Sequence, residues 1–293
     1  MMVKPRDPMR IIAHRGASGY APENTMAAYR RAVEMGAVEV ETDVGFTKDR
    51  RLLLFHDDTL ERTTNDKGRP EEYTLEELKR LDAGSWWDPR KPRPAWEPEL
   101  TWDRDYRGEK LITLEELLDE LGDTLTYHVE IKRPAQGLVP QVLQAIRDRG
   151  LVDNVFISAI DDDESLLEAL RLQPSIRVAP TPVRALKEKG AEAIVERARY
   201  GAAMVVLASF NHTRELVRVA HDLGMEARSS GIRTREQMVE AVEIGCNGMT
   251  INWPDWLRDY WSGVRAQQVA DANGYSGYSM VIPMPERVVE QVA

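Results

Sequence analysis

Short runs rich in Val and Ile alternate with longer stretches of helical spacing along most of the chain, and this alternation constrains the fold more than any other feature. Strands separated by a helix's length of chain do not close as tight hairpins, so they pair in parallel through helical crossovers. The predicted strands are Arg10 to His14, Val38 to Phe46, Tyr127 to Ile131, Val155 to Ala159, Arg177 to Ala179, Ala203 to Leu207, Glu226 to Ser229 and Gly248 to Ile251. Eight such units specify an α/β fold of the (β/α)8 TIM-barrel class. With 293 residues, 42% of them hydrophobic, the chain can bury one barrel of ordinary size, so residues 1–293 are read as a single domain.

A ninth run, Leu52 to His56, follows the second strand too closely for a crossover and is expected to pair with it as a hairpin, bringing His56 near the barrel rim. Thr74 with Glu77, Thr113 with Glu116 and Thr234 with Gln237 have capping-box spacing and mark helix starts, while Gly36 and Gly224 mark stops. Two segments do not fit a bare barrel. Residues 85–110, rich in Pro, Trp and charge, read as a small insertion over one end, and residues 263–293 as a C-terminal extension without a strong period.

Cys246 is the only cysteine, so there is no disulfide framework, and any metal must be held by oxygen or imidazole. Cys246 itself is expected in the core. The first residues lack the apolar stretch of a signal peptide, and no later stretch approaches the roughly 20 apolar residues of a membrane span. A cytoplasmic protein without a transmembrane segment is expected. The formal charge of −10 disfavours nucleic-acid binding, so an anionic ligand needs a local positive site.

In a βα barrel the reacting groups come from the C-terminal ends of strands. The first predicted strand runs into His14-Arg15-Gly16, placing an imidazole and a guanidinium at the rim, where the glycine is expected to let the backbone approach a ligand. In Val38-Glu39-Val40-Glu41-Thr42-Asp43-Val44 the three acids share one face and the valines take the other. Carboxylates crowded on a buried strand repel one another and lose hydration, a cost that a divalent cation offsets. In the third strand Glu130 and Lys132 point the same way, setting a carboxylate for the metal beside an ammonium for a phosphate. His56-Asp57 supplies a second imidazole, and two histidines flanking a phosphodiester can serve as base and acid. His128, His212 and His221 are read as structural.

The pieces His14-Arg15-Gly16, Pro22-Glu23-Asn24-Thr25, Glu41-Thr42-Asp43-Val44, Thr47-Lys48-Asp49, His56-Asp57 with Arg62-Thr63-Thr64, and Val129-Glu130-Ile131-Lys132 resemble, in order and spacing, the glycerophosphodiester phosphodiesterase family. The resemblance is strong from about residue 10 to 135. It implies a TIM barrel with an insertion after the His56 segment, one divalent cation, Mg²⁺ or Ca²⁺, and hydrolysis of small-molecule glycerophosphodiesters to glycerol 3-phosphate and an alcohol. By position it implies Glu41, Asp43 and Glu130 as metal ligands, His14 and His56 as the catalytic pair, and Arg15 and Lys132 as phosphate contacts.

The second half of the chain departs from that pattern. Ser230-Gly231-Ile232-Arg233 stands where the family commonly has Trp-Thr-Val-Asn, Ile251-Asn252 where it has Thr-Asp, and Ser158-Ala159-Ile160 where it has Ser-Ser-Phe. An altered substrate pocket is expected, with Glu23 and Asn24 beside it and Trp86, Trp87, Trp253 and Trp256 as candidates to rebuild an apolar wall. Arg233 is a candidate contact for an additional anionic group. Two alternatives accompany this reading: the same site acting on lysophospholipids or sugar phosphodiesters, and a barrel that binds metal or phosphodiester without turnover. The oligomeric state is left open.

Overall fold

The computed structural model describes residues 9–88 and 104–272. In chain order the first half comprises β1 (Arg10–His14), α1 (Met26–Glu34), β2 (Glu39–Phe46), β3 (Leu52–Leu54), α2 (Leu75–Leu78), α3 (Leu114–Leu121), β4 (Thr126–Ile131), α4 (Leu138–Arg147) and β5 (Val155–Ile160). It continues through α5 (Asp163–Leu172), β6 (Arg177–Thr181), α6 (Val183–Lys189), α7 (Glu192–Arg199), β7 (Met204–Ala208), α8 (Arg214–Asp222), β8 (Glu226–Ile232), α9 (Arg235–Glu243), β9 (Gly248–Ile251) and α10 (Pro254–Ala272).

Eight parallel strands form the expected barrel in the order β6-β5-β4-β2-β1-β9-β8-β7. The two ends of this path meet where the Ala203 amide donates to the Val178 carbonyl at 3.1 Å. Pro180, two residues beyond Val178 and therefore facing the same neighbour, has no N–H to offer, which limits the ladder at this seam. β6 nevertheless runs to Thr181, two residues past its predicted end. β3 lies off the barrel, antiparallel to β2 with Val44 opposite Leu54. Phe55 N–H then donates to the Asp43 carbonyl at 3.0 Å, which carries His56 to the rim as the hairpin reading required.

All eight residues of β2 are buried, as a strand covered on both faces demands. Val40 and Val44 join the apolar layer that includes Tyr29 and Ala32 of α1, while Glu39, Glu41 and Asp43 take the opposite phase and face the lumen. The three predicted capping boxes are all formed, at Thr74, Thr113 and Thr234. Gly36 and Gly224 stand just past the ends of α1 and α8.

α10 runs from Pro254 through Ala272, into the segment read as an extension without a strong period. Its buried Leu257 and Trp261 anchor the first turns, and Ala- and Gln-rich sequence favours continuation by propensity without a hydrophobic stripe. Residues 273–293 lie outside the described part, as do residues 89–103 of the insertion. The described flanks of the insertion are tied by the Ala83 amide to the Glu109 carbonyl at 2.8 Å. There Trp87 meets Tyr106 edge to face and packs beside Ala21 and Ala28, next to the loop that follows β1.

Candidate active site

The inward-facing strand ends open into one cavity of about 590 Å³. Strand order divides its lining in two. His14 at the end of β1 and Arg15 after it, Glu41 and Asp43 of β2, Glu130 of β4 and Lys132 just after it, His56 and Asp57 after β3, and Asn252 after β9 form a charged arc. Across the barrel, Ile160, Val183, Val206, Ala208 and Phe210 from β5 to β7 and their loops form an apolar one.

In the charged arc, Asp43 registers with Glu130 and Glu41 with His14, so ordinary parallel pairing brings the acids of two strands together. Carboxylate oxygens of Glu41, Asp43 and Glu130 lie within 4.8 Å of one another. Burial, with Asp43 and Glu130 adding their repulsion, pushes the Glu41 carboxyl well above its ordinary range. Burial acts on Asp43 in the same sense, but Arg15, His56 and Lys132 outweigh it and hold that carboxyl below its ordinary range. Three hard oxygen donors in this geometry fit a divalent cation.

Two cations cover the acids from the rim. Arg15 Nε stands 3.1 Å from Asp43, its Nη1 donates to Glu23 at 2.7 Å, and its amide donates to Glu41 at 3.2 Å. Lys132 Nζ is 3.1 Å from Glu130 and 3.9 Å from Asp43. Arg15 has a left-handed backbone, φ 55°, a conformation uncommon for a side-chain-bearing residue and held here at a loop packed on β2. At Gly16, φ 81°, a Cβ would stand 2.5 Å from the backbone of Ala28 in α1, so the missing side chain lets this loop close on the helix.

The two imidazoles are oriented alike. His14 Nδ1 lies 2.6 Å from Asn252 Oδ1, which also accepts from Ser18 Oγ at 3.0 Å. His56 Nδ1 lies 2.6 Å from Asp57 Oδ1. With Nδ1 occupied in both, Nε2 is the nitrogen left to each for other partners, and that of His14 stands 3.9 Å from Glu41. Burial first, and then the charge of Arg15, hold the His14 imidazole down at about 3, so it is neutral in the cation-free protein at neutral pH.

The remaining predicted residues divide between the cavity and its supports. Glu23 lines the cavity, bonded to Arg15 and, at 2.7 Å twice, to Arg62. Asn24 does not line it. It is buried, donates to Asp43 at 3.0 Å and accepts from Tyr29 and Thr42, so it orients a cluster carboxylate. Arg233 reaches the cavity lining from the end of β8. The tryptophan wall is not formed in this cavity. Trp87 is buried with its Nε1 donating to the Ser18 carbonyl, Trp253 is buried and stacked 4.3 Å from Trp256, and Trp86 lies against Arg62. Large rings with one polar atom fill the gaps between loops and helices, and strand ends supply the apolar lining instead.

Several cavity-lining residues escaped the sequence reading. Arg62 bridges Glu23 and Asp57, which stays ionised because His56 and Arg62 outweigh its burial. Its only signal was a place within the Arg62-Thr63-Thr64 match. Phe210, 77% exposed, stands on the loop after β7 with no motif to mark it. Arg228 was marked only by a charge in the inward phase of β8. The altered Ser230–Arg233 segment carries a register shift against β9, with Gly231 at φ 70°.

Residues 14–256 match the glycerophosphoryl diester phosphodiesterase family. A glycerophosphodiester phosphodiesterase of Bacillus subtilis is 31% identical over 85% of this chain and 85% of its own length. One of Caldanaerobacter subterraneus subsp. tengcongensis is also 31% identical, over 84% and 95%. Among solved structures, an Oleispira antarctica phosphodiesterase in complex with the product sn-glycerol-3-phosphate superposes with a TM-score of 0.71 at 24% identity, covering 87% of this chain and 96% of that one. The fold, the two-thirds-and-more coverage of these relatives and the match through the cavity-lining strands agree: this chain is an enzyme, a phosphoric diester hydrolase, and belongs to the glycerophosphoryl diester phosphodiesterase family.

Proposed function

We propose that this enzyme hydrolyses small glycerophosphodiesters to glycerol 3-phosphate and an alcohol, with His14 and His56 as its acid-base pair. The observation that carries the reading is the shared orientation of the two rings, each anchored through Nδ1 in a cavity that also holds Arg15, Lys132 and the acids. The product complex of the Oleispira antarctica relative supports the substrate class.

Glu41, Asp43 and Glu130 would hold a cation of the Mg²⁺ or Ca²⁺ class, which when bound supplies Lewis-acid polarisation of a phosphate oxygen. Arg15 and Lys132 stabilise the negative charge that develops on the phosphoryl oxygens. His14, neutral through burial, takes the proton of the glycerol hydroxyl next to the phosphate as that oxygen attacks phosphorus. His56, held by Asp57, gives its proton to the departing alkoxide. Water then opens the cyclic phosphate with the two proton transfers reversed. A cytoplasmic location goes with this reading, supported by a chain whose single cysteine is a buried free thiol.

The test is release of glycerol 3-phosphate from glycerophosphocholine and glycerophosphoethanolamine with Mg²⁺, with Ca²⁺ and with chelator. Cation-dependent release is expected, lost in His14→Ala, with cyclic glycerophosphate accumulating in only one of the two His→Ala variants. Full activity in chelator or in both variants would sink the mechanism.

The apolar arc favours a second substrate, a lysophospholipid whose acyl chain leaves the cavity over Ile160 and Phe210, 45% and 77% exposed. Phe210→Ser should then lower turnover of lysophosphatidylcholine and spare glycerophosphocholine. Equal effects on both would remove this reading.

A further inference from the structure

Below the carboxylates, the charged half of the lumen continues as a hydrogen-bonded chain. Arg10 Nε donates to Glu226 at 2.6 Å and its Nη1 to Glu39 at 2.8 Å. Glu39 thus belongs to this lower layer and not to the cluster above it. Its other oxygen lies 2.8 Å from His128 Nε2, and Arg228 Nη1 lies 2.8 Å from His128 Nδ1. A guanidinium only donates, so Nδ1 is the acceptor, the ring proton sits on Nε2, and His128 is neutral.

The chain therefore ends on a cation bonded to a neutral ring. Arg228 is 2% exposed and lines the floor of the cavity. Among the described residues its single hydrogen bond is the one to His128, and its Nε has no partner. A guanidinium buried without a bonded carboxylate is costly unless nearby anions compensate through space. Glu41 stands in register with His128, the ring that holds Arg228, Glu130 follows two residues further along β4 in the same phase, and Glu39 bonds the same ring, so these three are the anions that act on Arg228 against its burial. Arg15 and Lys132 stand at the rim, where an anionic ligand also draws on their charge. Arg228 is fixed below by His128 and has no such second use.

We propose that Arg228 is a positioning residue: a built-in counter-charge beneath Glu41 and Glu130 that offsets the repulsion of the carboxylate cluster when no cation is bound, and that weakens cation binding in return. The inference rests on Glu41, Asp43 and Glu130 being the cation ligands.

The test compares wild type, Arg228→Met, which keeps length without charge, and Arg228→Lys, which keeps charge. Each full-length protein is stripped with chelator and titrated with Mg²⁺ or Ca²⁺ while the melting temperature is read. Arg228→Met should melt lower than wild type without cation and reach its half-maximal shift at about tenfold lower cation concentration. Arg228→Lys should keep its midpoint within about twofold of wild type. An unchanged midpoint in Arg228→Met, or equal displacement in both variants, overturns the proposal. So does an Arg228→Met protein that fails to fold even in saturating cation, whereas one that folds only with cation supports it. A metal-free double-mutant cycle with Glu41→Gln separates this inference from the ligand assignment. The cost of losing Arg228 should shrink in the Glu41→Gln background, and independent costs overturn the counter-charge role. A wild type without any cation response would retire the ligand assignment, and the cycle would still decide Arg228.

Discussion

Asn252 Oδ1 and His14 Nδ1 stand 2.6 Å apart across the junction of β9 and β1, and the Ser18 hydroxyl donates to the same oxygen. Asn252 lies in the Ile251-Asn252 pair that the sequence reading set apart from the family pattern, and it anchors the ring by an acceptor oxygen. A neutral amide orients the imidazole without adding a negative charge beside it. Asn252→Ala should lower kcat by about ten- to a hundredfold with a much smaller change in KM, since the hydrogen bond sets ring orientation and not substrate contact. Steady-state kinetics on glycerophosphocholine checks this, and an unchanged kcat would show that packing alone holds His14.

The carboxylate cluster predicts a thermal response. Adding Mg²⁺ or Ca²⁺ to chelator-treated protein should raise its melting temperature, with about 2.7 kcal/mol of stabilisation at a hundred times the dissociation constant. Asp43→Asn and Glu130→Gln should blunt that rise. Persistence of the full shift in both variants would place the cation elsewhere.

Stability should fall in acid, beginning near neutrality. Burial holds His14 at about 3 and His128 at about 4, both below the unfolded value of 6.5. Between 6.5 and those values the unfolded chain binds two protons that the folded one refuses, against the one that the raised Glu41 carboxyl keeps, so stability decreases as pH drops through this window. Asp57 and Glu23, held below their ordinary range, add to the loss at lower pH, where the unfolded carboxylates protonate first. Urea midpoints of cation-free protein at pH 7, 5.5 and 4.5 should decline in that order, and a flat profile would contradict these burial effects.

Cys246 is fully buried, and burial pushes its thiol up to about 12. A thiol both inaccessible and protonated reacts slowly. Iodoacetamide at pH 8 should add one label only after unfolding in urea, read as a mass shift. Rapid native labelling would mean that the α9–β9 region opens readily.

The elements of the barrel were legible because their signals are local. Alternating valines and acids in β2 must put Glu41 and Asp43 on one face, and Thr113 followed by Glu116 caps a helix wherever it lies. The hairpin of Leu52–Leu54 followed from chain length alone, since five residues separate it from β2. Periodicity assigned a face but not a depth. Glu39 and Glu41 share a phase, yet one is consumed by Arg10 and His128 and the other by the cluster.

Sequence by itself thus determined the strand pattern, the barrel class and the residues that converge at the rim, because a two-residue period and short connections leave few alternatives. Only tertiary structure decided which residues three or more strands away meet. Arg228 reaches His128 across a hundred residues of chain, and Trp87 and Trp253 pack between loops and helices while Phe210 and Ile160 face the cavity. Such choices depend on the depth of each residue in the barrel and on the close packing of its neighbours, neither of which a linear pattern contains.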